Sequence, residues 1–193
     1  MMDRETESLW SHLLGEAMSG QLREAKLDAL PCDMVTWKAW RREHPETTVL
    51  DLPRSHRAYT KEFYRKPDSF VYAFETDGRF YHCSFRTLLG HPVMSFKAGD
   101  SKLLLLFDAD STSIRLYNRK LDDRELSFAA LDRATMRDSQ TRSTWSRASG
   151  TATEGPLAGQ ALEHLPGIVS FRRAWKEFYP DSTEIAVPSR PDR

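Results

Sequence analysis

The chain has 193 residues, and its 28 basic and 28 acidic side chains give a formal net charge of zero at pH 7. This length allows one sizeable hydrophobic core. A balanced charge gives no electrostatic case for nucleic acid or an anionic membrane, so we predict neither partner. We also predict no membrane insertion, because the longest apolar run, Leu103 to Phe107, is far shorter than the ~18 residues that a spanning helix needs.

One stretch of the chain occurs twice. Shifted by 135 positions, residues 3–48 fall on residues 138–183 without a gap, with 16 identities in 46 positions. Ordinary composition would give roughly one chance match in sixteen. We therefore predict an internal duplication whose two copies associate within the chain. The predicted parts are the C-terminal half of a first copy at 1–52, a joint at 53–68, a fuller second copy at 69–187, and a disordered tail at 188–193.

The first copy predicts strands, a glycine-bearing bend and one helix. The alternation of Thr6, Ser8 and Trp10 is typical of a strand, and the bend follows it at Gly15 and Gly20. Further short strands are predicted at 27–30 and 47–50. A helix is predicted over 36–44, because Thr36 suits an N-cap and Pro45 stops helical geometry. Because the first copy has no lead-in before it, we expect a truncated start or a fragment.

The middle of the chain predicts successive antiparallel strands. Residues 70–85 are typical of a hairpin, with Asp77-Gly78 as its two-residue turn. A helical turn is expected at 86–90, and strands follow at 92–97, 102–107, 113–118 and 125–129. The second copy ends in a helix over 171–178, for which Ser170 is the expected cap, and in a strand over 183–187. The predicted fold is α+β and mainly β: antiparallel strands in a barrel- or sandwich-like arrangement, with one short aromatic helix per repeat.

The head of each copy carries the candidate ligand-binding residues. They are Asp3, Thr6, Ser8 and Trp10 in the first copy, and Asp138, Thr141, Ser143 and Trp145 in the second. Their oxygen atoms could hold a hard cation or a sugar hydroxyl. We favour the alternative, a side-chain-capped turn that leads into a strand, because calcium sites usually recruit several carboxylates and each copy offers one. The repeated tryptophans are likewise more typical of a core than of a ligand cleft.

We predict no catalytic residue, no metal site and no cofactor. His82 and Cys83 are adjacent, so on a strand they point to opposite faces and cannot both ligate one ion. The sequence has no nucleophile elbow and no phosphate-binding glycine loop. The leading hypothesis is a non-catalytic binding or structural module. The alternatives are a hydrolase that uses Asp138 or Ser143 with a nearby base, and a metal- or redox-linked protein.

The duplicated motif resembles a known family. Asp-Arg-Glu-Thr-Glu-Ser-Leu-Trp-Ser at 3–11, with Gly15 and Gly20 behind it, is similar to bacterial proteins catalogued as domain of unknown function 3179, and the second copy matches the same pattern. The resemblance implies an envelope-associated, periplasmic or exported protein, and it brings no activity with it. Family members tend to carry a Cys-Pro-x-Cys-like segment. This chain has Phe107-Asp108-Ala109-Asp110 where that segment would fall, which removes the thiols such a redox or metal role would use.

Overall fold

The computed structural model describes residues 1–50 and 66–187, which form two compact units, Met1–Pro31 and Cys32–Arg193. The first unit is a small antiparallel hairpin of β1 (Leu9–Trp10) and β2 (Ala17–Ser19). Its register shifts by a bulge between Leu9 and Trp10. The predictions for 53–65 and 188–193 lie outside the described residues, and the predicted boundaries of the two copies stay a prediction.

The described part of the second unit is built mainly of short strands. Its helices are α1 (Trp37–Glu43), α2 (Phe85–Gly90) and α3 (Arg172–Phe178), with a 3₁₀ turn at Pro67–Ser69. Its strands are β3 (Phe70–Thr76), β4 (Arg79–Ser84), β5 (Val93–Ala98), β6 (Ser101–Asp108), β7 (Ser113–Asn118), β8 (Lys120–Leu121), β9 (Arg124–Glu125), β10 (Phe128–Ala130), β11 (Thr135–Asp138), β12 (Thr144–Ser146), β13 (Ala152–Glu154), β14 (His164–Leu165), β15 (Ile168–Phe171) and β16 (Thr183–Glu184).

Within the described part of the second unit, these strands form three four-stranded sheets and one small ribbon. The sheet orders are β15-β3-β4-β16, β14-β7-β6-β5 and β10-β11-β12-β13, and the ribbon is β8-β9. Neighbouring strands are antiparallel, except that β16 runs parallel to β4. The predicted mainly β, antiparallel fold is confirmed. The sheets stay open, however, and do not close into the barrel that was one of the two predicted arrangements.

The middle sheet is covered on both faces, which explains the longest apolar run. Leu103, Leu105 and Phe107 pack into one buried cluster with residues of β3 and β4. Leu104 and Leu106 point the other way and pack into a second cluster with residues of β10 to β13. Side chains alternate between the faces of a strand, so only a strand buried on both sides needs consecutive apolar residues.

The hairpin and the helices form where the sequence predicts them, but one predicted helix cap and two predicted strands are wrong. Asp77 (φ 51°) and Gly78 (φ 68°) make the two-residue turn between β3 and β4. The prediction that Ser170 caps the last helix is wrong: Ser170 pairs with Val71 inside the sheet, so the helix begins later and Phe171 is its N-cap residue. The strands predicted at 27–30 and 47–50 are also wrong, since both stretches are irregular.

We expect Gly150→Ala to destabilise the second unit by about 2–4 kcal/mol, combining a left-handed backbone penalty with overpacking. Gly150 has φ +66°, and a Cβ there would lie 2.6 Å from Cε1 of the buried Tyr117. Gly78→Ala is the matched control, because Gly78 has φ +68° with open space around it, and it should cost about 1 kcal/mol. Urea unfolding of both variants measures the difference. Equal losses would contradict the close approach to Tyr117.

Candidate functional site

The Asp138 carboxylate organises the first of two polar clusters, which we call the aspartate turn (Asp138, Thr141, Ser143 and Trp145). It accepts hydrogen bonds from the Thr141 amide (2.5 Å) and hydroxyl (2.8 Å), the Ser143 amide (3.0 Å) and the Trp145 indole Nε1 (3.0 Å). Asp138 is almost completely buried. Burial alone would raise the pKa of Asp138, but these hydrogen bonds outweigh it and lower the pKa below its ordinary value.

The hydroxyl of Ser143 extends the aspartate turn to the next hairpin. Its Oγ lies 2.8 Å from the Thr141 hydroxyl and accepts a hydrogen bond from the Leu157 amide at 3.0 Å. Gly155 passes so close that an added Cβ would lie 2.8 Å from the Ser143 Cα. The glycine is therefore needed for this approach, and the turn ties the β11–β12 connection to the loop after β13.

The same bonds recur 135 positions earlier, in the first unit. The Asp3 carboxylate accepts from the Thr6 amide (2.7 Å) and hydroxyl (2.8 Å) and from the Trp10 indole (2.9 Å). The Ser8 hydroxyl accepts from the Leu22 amide at 3.0 Å. Hydrogen bonds, first among them that from the Thr6 amide, lower the pKa of Asp3 to about 2.

The two turns differ in how they are covered. Trp145 is fully buried and Leu162 is 5% exposed, because both pack against the middle sheet of their unit. Trp10 is half-buried, and Leu27, which corresponds to Leu162, is 60% exposed. The hydrogen-bonded turn is thus formed in both places, whereas the apolar packing is complete only around Asp138.

Helices α1 and α3 are each fixed by an equivalent tryptophan hydrogen bond. The indole Nε1 of Trp40 donates to the Thr47 hydroxyl at 2.9 Å, and that of Trp175 donates to the Ser182 hydroxyl at 2.9 Å. His44 lies against Trp40 as Tyr179 lies against Trp175, with ring centroids 3.9 and 4.2 Å apart. Each tryptophan therefore fastens its helix to the segment that follows the stop proline.

The eight predicted ligand-binding residues fall in these two turns, four in each. The hydrogen bonds of these eight side chains join them to one another or to backbone amides of the same unit, and Asp138, Ser143 and Trp145 are buried. These contacts give the residues a structural use. The ligand-binding prediction for the eight residues stays a prediction.

A second polar cluster, which the sequence reasoning missed, lines a cleft of about 270 Å³. We call it the Asp108 cleft, and its lining includes Asp108, Ser111, Ser113, Arg115 and Arg147. Asp108 accepts hydrogen bonds from the Ser111 hydroxyl (2.5 Å) and from the Asp110 amide (3.1 Å). Burial raises the pKa of Asp108, but these bonds and the nearby Arg147 guanidinium lower it overall.

The turn that carries the lining residues Ser111 and Ser113 is strained. Thr112 is buried and has φ 64°, a left-handed conformation that a β-branched residue adopts only under constraint. Its hydroxyl donates to the Ser111 carbonyl at 2.6 Å. Such backbone outliers persist where the surrounding structure determines them and cluster at binding sites.

Two arginines flank the cleft, Arg115 buried and Arg147 partly buried, and each is held by distant parts of the chain. Arg115 pairs with Asp33 (2.8 Å) and lies 3.6 Å from Glu43 of α1. Arg147 donates to the carbonyls of Phe107 (2.8 Å) and Asp132 (3.0 Å). Among the described residues the Arg147 Nε, although buried, has no hydrogen-bond partner. The sequence signal that could have found this site is the Asp-Ala-Asp-Ser-Thr-Ser run at 108–113.

His82 belongs to a closed network rather than to an open site. Its Nδ1 lies 3.1 Å from the Ser182 hydroxyl and its Nε2 lies 3.9 Å from Glu184. Burial lowers the pKa of His82, whose side chain is 2% exposed. Cys83 faces the opposite side of β4, in the core, as the strand alternation predicts. Across residues 1–50 and 66–187 no group of three or more His, Cys, Asp or Glu side chains is arranged to hold a metal ion.

The chain is therefore a β-rich protein in which an Asp-x-x-Thr-x-Ser-x-Trp turn is hydrogen-bonded to the neighbouring hairpin. The model of the family described as "Protein of unknown function (DUF3179)" matches residues 1–182, and the chain belongs to that family. Comparisons with curated proteins and with solved structures give no significant match. None of the helices in the described residues has the length and apolar character to cross a membrane.

We expect Asp138→Asn to cost about 2–4 kcal/mol of unfolding free energy, because an amide NH₂ would face donors that now bond to a carboxylate oxygen. Urea unfolding followed by tryptophan fluorescence measures it. A carboxylate with a lowered pKa stabilises the fold above its unfolded-state pKa and loses this effect as pH falls. The difference in unfolding free energy between the wild type and Asp138→Asn should therefore become smaller below about pH 4.

Asp3→Asn is the matched control for this substitution. It breaks the equivalent bonds in the more exposed first unit, so we expect a smaller loss. A neutral Asp138→Asn, or a gap that widens in acid, would contradict the structural role of the aspartate turn.

Proposed function

We propose that this chain is a non-catalytic binding module whose ligand site is the Asp108 cleft. The observation that supports this most directly is the set of buried polar side chains that surround an open cleft, rather than a closed core. Ser111, Ser113 and Arg115 are all less than a tenth exposed, yet each lines the cleft. Burying polar groups is costly unless they are bonded, and a fold retains them where they serve a purpose.

The lining indicates the kind of ligand. Guanidinium groups of Arg115 and Arg147 offer donors, while Asp108 and Glu43 offer acceptors. A volume of about 270 Å³ lies near the lower limit for small-molecule sites. The ligand we propose is a small polar molecule with both donors and acceptors, of the size of an amino acid or a monosaccharide.

The contacts of Ser143 weigh against the hydrolase alternative. A nucleophilic serine needs a base within hydrogen-bond reach that a third group orients. The Ser143 hydroxyl instead contacts Thr141 and the Leu157 amide, and it is buried. Asp138 is likewise bonded to its own turn. These contacts favour the module over the enzyme.

The matching bonds also support the duplication, which we propose as the origin of the two turns. The indole bond to Asp3 recurs 135 residues later as the indole bond to Asp138. The bond made by Trp40 recurs at the same distance as the bond made by Trp175. In this proposal one copied unit has kept its polar clasp in both places, while the Asp108 cleft combines residues of the fuller copy with Glu43 of the first copy.

Titration of ¹⁵N-labelled protein with free amino acids and monosaccharides tests the binding proposal. We expect at least one compound to shift the amide signals of residues 108–113 and 146–148. Ser111→Ala combined with Ser113→Ala should weaken that binding by about tenfold, because hydrogen-bonding hydroxyls are lost. Ser149→Ala is the matched control, since Ser149 is exposed and outside the lining. Shifts confined to the aspartate turn, or unchanged binding by the double variant, would contradict the proposal.

A further inference from the structure

A larger cavity lies on another part of the second unit and is not used by the proposed function. It has a volume of about 680 Å³ and is formed where the 3₁₀ turn and the start of β3 meet the end of β15 and the start of α3. None of its lining residues belongs to the Asp108 cleft.

The cavity is strongly basic, although the chain as a whole is neutral. Four cations line it, namely Lys66, Arg172, Arg173 and Lys176, against one carboxylate, Asp68. Arg172 and Lys176 are four residues apart and therefore share a helix face. The lining thus concentrates positive charge that the composition gives no reason to expect.

The one carboxylate of the lining is already paired outside the cationic cluster. Both oxygens of Asp68 accept hydrogen bonds from Arg86, which is not a lining residue. This pairing lowers the pKa of Asp68, so the group stays ionised and committed to Arg86. Asp68 is therefore hydrogen-bonded to Arg86, and it interacts with the cavity cation Arg172 through a weaker attraction between opposite charges.

Arg172 supplies a separate indication that a ligand group is expected. Its Nη2 pairs with Glu184 at 2.6 Å. Its Nε is buried and has no acceptor among the described residues. A buried donor without an acceptor is costly, so Arg172 keeps hydrogen-bonding capacity that its pairing with Glu184 does not use.

An aromatic surface lies beside the cations. Phe171 is 57% exposed at the cavity, and its ring lies against that of Phe70, with centroids 4.7 Å apart. An exposed ring that is held by a buried one is a rigid apolar platform. The cavity thus pairs a cationic wall with an apolar wall.

We propose that this cavity binds an organic anion in which a phosphate, sulfate or carboxylate group is joined to an apolar ring or chain. The anionic group contacts Arg172, Arg173 and Lys176, and the apolar part lies on Phe171. A soluble metabolite and a lipid headgroup share this chemistry, and binding to phenyl phosphate or to anionic vesicles distinguishes the two sources.

Calorimetric titration of the full chain with phenyl phosphate tests the proposal, with inorganic phosphate and phenol as the two half-ligands. We expect phenyl phosphate to bind more tightly than either half. Arg173→Ala combined with Lys176→Ala should weaken it by about tenfold or more, and Phe171→Ala should weaken phenyl phosphate but leave inorganic phosphate unchanged. Vesicles of phosphatidylcholine with and without phosphatidylglycerol form the lipid arm; binding only to the anionic vesicles, lost in the same variants, would identify a headgroup as the source.

Lys120→Ala combined with Arg124→Ala is the matched control, because both side chains are exposed cations on the β8-β9 ribbon and their loss changes the net charge equally. It should leave binding unchanged. The proposal is overturned if this control weakens binding as much as the cavity variants do. It is also overturned if inorganic phosphate binds as tightly as phenyl phosphate, or if neither phenyl phosphate nor the anionic vesicles bind.

Discussion

The interaction on which the second unit most depends is the burial of one carboxylate among its own hydrogen-bond donors. A buried charge is tolerated only when it is fully bonded, and Asp138 meets that condition through Thr141, Ser143 and Trp145. The bond to the indole also fixes Trp145, the largest side chain that the second core cluster buries. A polar requirement at one residue therefore determines where the apolar packing of a whole sheet is placed.

The Asp108 cleft follows from that placement. Arg147 comes directly after β12, the strand that carries Trp145, and its guanidinium reaches the Phe107 carbonyl at the end of β6. The strained Thr112 lies in the turn that follows β6. Rigid sheets thus support a polar turn on each side of the cleft, which is the arrangement expected of a binding site preorganised by its scaffold.

Local features of the fold could be predicted from the sequence because local chemistry determines them. Asp77-Gly78 requires the positive φ angles of a tight hairpin, and Leu103 to Phe107 requires burial on both faces. The Asp108 cleft could not be predicted in the same way. Its Arg115 meets Asp33 across 82 positions, and no periodicity or spacing records such a pairing. The helix boundary after Ser170 was missed for a similar reason, since pairing with Val71 in the sheet competes with capping.

The most direct test of the central claim is hydrogen exchange at the tryptophan indoles. The Trp145 indole N–H is buried and donates to Asp138, whereas Trp37 is 46% exposed and serves as an internal reference. We predict that the Trp145 indole exchanges only through unfolding of its unit, far more slowly than that of Trp37. Exchange of the Trp145 indole as fast as that of Trp37 would contradict the account, because it would mean that Asp138 does not hold the tryptophan around which the sheet packs.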